Sequence, residues 1–416
     1  MYATILSEAR ANNRAKIALS QGSRRIEALD GMRGLAILMV LLAHFTGIGL
    51  QYQVSRALVI GSQWGWVGVD LFFVLSGFLI TGILVDAKGS RGYFKNFYAR
   101  RLVRIFPAYY ALLLIVFLIV PLLSNWGGLA DNRTVYGPHW VYWLYLYNIY
   151  GAFKAHSQGL LAHTWTLAIE EQFYLAWPAI VFLCDRKRLL WVCGIAAAAA
   201  LALRIIFLGV GVSIVTVGFL TFTRMDSLTI GAAIALLMRQ PGGTARVNAL
   251  ARKLIWLAPT ILLLIYAGKK TSFEFFTFCD EAGKYTLISL FFAALISLTV
   301  SSPPTTWLNR AFSTAWMRFL GRYSYGIYLF HVPMLMLIGK YFSARLSPGR
   351  QFLAYVLFFV CTILAGILSW NLIEKHFLKL KRYFPSGSSA EPIRRGPPVA
   401  GAIRSHWIPD LRKKSA

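Results

Sequence analysis

Negative charge is what this sequence has least of. Sixteen Asp and Glu residues stand against 43 Lys and Arg in a chain of 416, a formal net charge of +27. Charged residues of both signs reach only 14%, while 57% are hydrophobic and the mean hydropathy is +0.57. A soluble domain carries about a quarter charged residues, so an ordinary soluble protein is excluded. Cysteine is equally sparse. Cys184, Cys193, Cys279 and Cys361 show no paired spacing, which argues against a disulfide framework and against a zinc or redox motif. No metal site and no bound cofactor are expected. The first 25 residues are polar and basic, with no apolar core ahead of a cleavage site, so the first span is expected to act as an uncleaved signal-anchor.

What is present is apolar sequence in long runs, at roughly 34–50, 64–85, 105–123, 139–150, 167–184, 189–209, 222–239, 254–268, 285–302, 323–340 and 352–373. Most approach the ~20 residues that a helix needs to cross a ~30 Å hydrocarbon layer. The run HWVYWLYLYNIY at 139–150 is short and almost wholly aromatic, which suits an interfacial or re-entrant segment. The expected fold is therefore an all-α polytopic membrane protein of about ten transmembrane helices plus that short segment. The basic residues flank the apolar runs, in 1–33, 86–104, 185–188, 239–253, 303–322 and the tail. With ten spans all of these fall on one side, as the positive-inside rule requires, and both termini are cytoplasmic. The positive charge then faces anionic lipid, and no nucleic-acid partner is expected. Three regions follow: a basic arm over 1–25, a membrane domain over 26–375, and a disordered basic tail over 376–416.

Five clusters place polar or charged residues in these runs. The first is ALDGMRGLAILMVLLAHF, where Asp30 is placed to cap a helix and Arg33 and His44 share one face. Their 11-residue separation corresponds to a rise of about 16 Å, which sets a cation at the membrane edge and an imidazole about halfway across. Ionisable residues in such a place are costly and mark function. The second is GWVGVDLFFVLSGFLIT, with Asp70 and Ser76 among glycines that permit close helix packing. In the third, FYARRLVRIFPAYY, Arg101 and Arg104 lie three apart, two guanidinium forks suited to a phosphate or pyrophosphate. The fourth, HTWTLAIEEQFYLAWP, offers His163, Trp165, Glu170 and Tyr174. Glu170 and Tyr174 share a face, and Glu171 points elsewhere, toward solvent. In the fifth, FLGRYSYGIYLFHVPML, Ser324, Tyr328 and His331 follow an i, i+4, i+7 pattern ahead of Pro333.

In this order the clusters resemble the integral-membrane acyltransferase-3 family, which includes O-antigen and Nod-factor O-acetyltransferases. The resemblance covers roughly 26–375 and rests on Arg33-x10-His44, GVDLFFVLSGFLI, Arg101-x2-Arg104, HTWTLAIEEQFY and SYGIYLFHVP. Thr166 stands where relatives commonly have Ser, with the hydroxyl retained. The esterase-like domain of longer relatives has no counterpart after the last run, so a stand-alone form is expected. The resemblance implies a bacterial inner-membrane enzyme that moves acetyl from cytoplasmic acetyl-CoA, its co-substrate, to a hydroxyl of a carbohydrate or glycolipid acceptor. Arg33, Arg101 and Arg104 would hold the donor's phosphates. His44 would take the acceptor's proton, with Glu170 and His331 as further catalytic groups. Asp70, Ser76, His163, Trp165, Tyr174, Ser324 and Tyr328 would line the acceptor side or support it. Succinyl or another acyl group is the alternative within this mechanism. A polar-lipid or glycan transporter is the alternative outside it, and the sequence lacks the internal repeat common in such proteins.

Overall fold

The apolar runs fold as helices. The computed structural model describes residues 27–44, 64–124, 137–154, 159–271, 274–341 and 348–385. The basic arm over 1–25 and the tail beyond 385 lie outside the described residues. Helix α1 covers 27–44. A short 3-10 turn leads into α2 (Gly68–Ala87), and α3 (Tyr93–Leu114) continues through a π segment to Ser124. Two short helices follow, α4 (Trp140–Trp143) and α5 (Tyr147–Phe153), then α6 (Trp165–Leu183) and α7 (Arg186–Gly209). After these come α8 (Ile214–Phe219), α9 (Thr221–Met238), α10 (Gly243–Lys269), α11 (Glu274–Ser301) and α12 (Trp307–Phe312). The last long pair is α13 (Ala315–Tyr341) and α14 (Pro348–Ser369). Helical turns continue from Trp370 to Tyr383, so order extends past the expected boundary at 375.

Among the described residues, seven stretches are long and apolar enough to cross a membrane: Trp64–Ala87, Tyr93–Leu122, Arg186–Gly209, Ile214–Met238, Gly243–Lys269, Glu274–Ser301 and Leu353–Tyr383. Ten spans were expected. The three other long helices, α1, α6 and α13, carry Arg33, Glu170 and Glu171, and Arg318, Arg322 and His331 respectively, and α1 is described only to residue 44, short of the end of its apolar run. The aromatic run at 139–150 does not cross. It breaks into α4 and α5 at Tyr145, whose φ of 53° is left-handed, and a seven-residue helix rises only about 10 Å. Its rings pack against α3: Tyr145 stacks on Tyr109 at 4.4 Å and Trp143 on Tyr110 at 5.4 Å.

Lipid is as apolar as a leucine side chain, so helices in a membrane are held by close packing and polar contacts. Both are concentrated on α2, whose span is 72% buried, whereas α10 is 11% buried and faces outward. A Cβ on Gly77 would sit 1.8 Å from the Leu228 carbonyl oxygen of α9, and one on Gly231 would sit 2.1 Å from that of Val74. The two backbones therefore touch. Beside this contact Arg224 Nη2 donates to Asp70 Oδ1 at 2.7 Å. Trp177 Nε1 ties α6 to α2 through Thr81 at 2.8 Å. Pro178 deprives α6 of a backbone bond, and α3 covers that region with Tyr98, which donates to the Leu175 carbonyl at 2.7 Å.

Gly77→Ala is expected to lower stability by about 1–3 kcal/mol through overpacking. Gly283→Ala, which meets nothing within 4 Å, should leave the melting temperature in detergent unchanged or raise it slightly, since alanine favours helix.

Candidate active site

Helices α1 and α13 lie side by side and run in the same direction. Near their starts a Cβ on Gly321 would meet the Asp30 carbonyl oxygen at 1.8 Å, and one on Gly34 would meet that of Met317 at 2.1 Å. Farther along, the rings of His44 and His331 come together edge to face, 4.6 Å between centroids. Asp30 does not cap α1 as expected. It lies inside the helix and accepts from Arg33 Nη1 at 3.0 Å.

A third imidazole joins this pair. The His163 ring is 4.9 Å from that of His331 and 5.5 Å from the Tyr328 ring. His331 is fully buried, and His163 nearly so. A carbonyl can only accept, so Nδ1–H of His44 donates to Val40 at 2.9 Å and Nδ1–H of His331 donates to Tyr328 at 2.6 Å. In both rings this assigns the basic lone pair to Nε2. His331 Nε2 has no partner among the described residues.

From Tyr328 a cavity of about 100 Å³ leads away toward Arg33, Arg101 and Arg104. That is several times the space one water needs. Helix α6 forms one wall and sets Thr166, Glu170 and Tyr174 along it at four-residue intervals, about 6 Å per step. Thr166 hydrogen-bonds the Tyr328 hydroxyl at the histidine end. Ser76 Oγ donates to Glu170 Oε1 at 2.6 Å and accepts from the Tyr174 hydroxyl at 2.9 Å. At the other end the Arg101 guanidinium lies 5.5 Å from the Tyr174 ring. Ser324 lines the cavity and donates to the Gly321 carbonyl at 2.9 Å. Arg101 and Arg104 form no hydrogen bond or ion pair with a described side chain, so both forks remain available to a ligand. No group of His, Cys, Asp or Glu suited to a metal ion occurs among the described residues.

Eight of the thirteen residues expected at the site line this cavity. His44, His163 and His331 cluster beside Tyr328 outside its lining, and two residues lie apart from both groups. Asp70 is buried in its pair with Arg224 and with the Ser227 hydroxyl at 3.1 Å, outside the cavity lining. Trp165 stacks on Phe219 at 4.7 Å, also outside it. Glu171 corrects the expectation of exposure, since it is half-buried and lines the cavity beside Glu170. Two further features went unread in the sequence: the fully buried Arg204–Asp226 pair at 2.7 Å, and Glu374, buried and held by Ser369 at 3.0 Å. The signal for Arg204, Arg224 and Asp226 was the same one that marks Arg33, an ionisable residue inside an apolar run.

Residues 26–371 match the acyltransferase-3 family, described as an acyltransferase domain. The chain belongs to that family. It is 32% identical over 330 residues to the peptidoglycan O-acetyltransferase OatA of Listeria monocytogenes, covering 75% of this chain and 50% of the relative. A Bacillus subtilis protein provisionally named a peptidoglycan O-acetyltransferase, YrhL, is 31% identical over 376 residues, covering 86% and 55%. A Staphylococcus aureus (strain COL) protein provisionally named an O-acetyltransferase is 28% identical over 390 residues, covering 86% and 58%. The chain thus spans about half the length of the curated relatives it matches. No solved structure matches it. Family membership extends over the segments that build the cavity, from Arg33 to Tyr328.

The place of Asp70 outside the cavity has a measurable consequence. Arg224→Met should lower stability in detergent by about 3–5 kcal/mol, because it leaves a buried carboxylate unpaired. Asp70→Leu combined with Arg224→Met should recover most of that loss.

Proposed function

We propose that the chain is a membrane O-acetyltransferase that transfers acetyl from acetyl-CoA to a hydroxyl of a carbohydrate-type acceptor. A cell-surface polysaccharide, a lipid-linked sugar, a Nod-factor-like glycan or peptidoglycan, the substrate named for the Listeria relative, are acceptors of this class. One observation carries the reading: a single cavity runs from three arginines at one end to the Thr166 and Tyr328 hydroxyls at the other, and the Tyr328 ring borders a cluster of three imidazoles just outside its lining. The arginines suit the phosphates of a coenzyme A donor, and forked guanidinium groups bind phosphate oxygens in pairs. The family resemblance and the peptidoglycan O-acetyltransferase relatives support the same chemistry. The positive-inside pattern favours a bacterial inner-membrane protein with the arginine mouth and both termini on the cytoplasmic side.

In this reading the acceptor hydroxyl gives its proton to His44 Nε2 as its oxygen attacks the thioester carbonyl carbon. The tetrahedral intermediate collapses, the C–S bond breaks, and the imidazolium returns the proton to the departing thiolate. The products are an O-acetyl ester and coenzyme A. Because His44 Nδ1–H is held by Val40, the tautomer needed for this step is set before substrate arrives. His331 stands one ring away as a second imidazole for the same proton. Glu170 holds Ser76 and, through it, Tyr174, which fixes the polar wall along which the pantetheine arm passes.

His44→Ala should reduce acetyl transfer by at least about 100-fold, the scale of general-base catalysis, with unchanged insertion and detergent elution. Transfer assayed with labelled acetyl-CoA in membranes is the check, and an active variant would remove His44 from the mechanism. Arg101→Ala with Arg104→Ala should act chiefly on KM for acetyl-CoA, raising it about ten-fold or more. An unchanged KM would leave these arginines a topological role only.

A further inference from the structure

Beyond the π turn Trp370–Glu374 the last helix continues as Lys375–Leu378 and then as a 3-10 segment, Lys379–Tyr383, packed on α3. Arg100 Nη1 fastens this segment by donating to the Phe384 carbonyl at 2.8 Å, with the Lys381 carbonyl at 3.5 Å. The attachment brings Lys381, itself half-buried, within electrostatic reach of Arg33, Arg100, Arg101 and Arg104. The arginines have acidic neighbours. Arg33 holds Asp30, Arg101 faces Glu170 and Glu171, and Arg104 faces Glu374. Lys381 has no ion-pair partner among the described residues. Gathering five cations in one place works against folding through their repulsion, and an anion of more than one charge relieves it.

The arrangement also has an order. Arg33, Arg101 and Arg104 line the cavity, whereas Lys381 is not among its lining residues and sits on the segment fastened to Arg100, one position before Arg101. In coenzyme A the thioester arm joins a diphosphate, and the 3′-phosphate lies beyond that, on the ribose. An arm directed toward His44 with its diphosphate among the cavity arginines leaves the 3′-phosphate on the Lys381 side. We infer that Lys381, supported by Arg100, binds a phosphate monoester at the rim of the cavity, the 3′-phosphate of the acyl-CoA donor. The inference rests on the acyl-CoA reading given above and adds a specificity element to it. Lys381 lies past residue 371, the end of the family match, so the match does not assign it this role. An anionic lipid headgroup would present the same phosphate chemistry, and the test separates the two sources.

Binding of coenzyme A and of 3′-dephospho-coenzyme A to the full-length protein in detergent, measured by calorimetry, decides the matter. Unaltered protein should prefer coenzyme A by about ten-fold or more, a single charge-assisted contact's worth of discrimination. Lys381→Ala should lose that preference by weakening coenzyme A while leaving the dephospho form unchanged, and Lys381→Arg should keep most of it. Unchanged binding of the dephospho form also shows that the variant is folded. A preference that survives in Lys381→Ala overturns the assignment but leaves the acyl-CoA reading standing. Absence of binding by either compound to unaltered protein overturns both. A Lys381→Ala defect confined to association of nanodisc-embedded protein with phosphatidylglycerol vesicles, with coenzyme A preference intact, would assign the lysine to lipid and overturn the proposal.

Discussion

The backbone contact between α1 and α13 is the constraint on which the site depends. Arg33 and His44 are carried by one of these helices, and Tyr328 and His331 by the other. Only glycine at 34 and 321 lets the helices approach until carbonyl oxygens lie where side chains would begin. With that separation fixed at one end, the two imidazoles at the other reach 4.6 Å with no loop to position them. A lipid environment offers no hydrophobic gain for such an approach. The Glu27–Arg318 pair at 3.1 Å and the core formed by Ile37, Val40, Leu41, Leu320 and Ile327 hold it instead. The second backbone contact, between α2 and α9, does the same for Ser76, which stands across the cavity from Tyr328 on a helix anchored by Asp70 and Arg224.

Much of this was legible in the sequence because membrane burial makes periodicity and charge unusually informative. The helices fall on the apolar runs, and of the residues read as costly, Arg33, Arg101, Arg104 and Glu170 line one cavity while His44 and His331 pack together outside its lining. What the sequence could not reveal is partnership across distance. Asp70 looked like a residue lining or supporting the acceptor side because its counter-charge is 154 positions away, on a helix whose own arginine is hidden in an apolar run. Glu171 looked exposed because helical spacing separates it from Glu170, yet the cavity is wide enough to take in both faces.

The spans recognised by hydropathy alone carry little of the charged part of the site, apart from Glu374 and Lys381 in the last of them and the arginines of α3. That helix places Arg101 and Arg104 before its apolar window and so keeps its cations near the membrane edge. Helices α1, α6 and α13 interrupt their own apolar runs and are stable there because they are surrounded by other helices. Polar groups there need internal partners: Asp30 serves Arg33, Ser76 serves Glu170, and the Val40 and Tyr328 carbonyls serve one nitrogen each of His44 and His331.

The distribution of charge along the cavity bears on which acyl group can be delivered. Its three lining cations gather around Arg33, 11 positions and about 16 Å from His44 along α1. Around Tyr328 the structure supplies Thr166, His163, His331 and His44, with no lysine or arginine among the groups in contact. An acyl chain ending in a carboxylate would have to leave water and rest there without a counter-charge, a cost of several kcal/mol. A neutral acetyl group meets no such penalty.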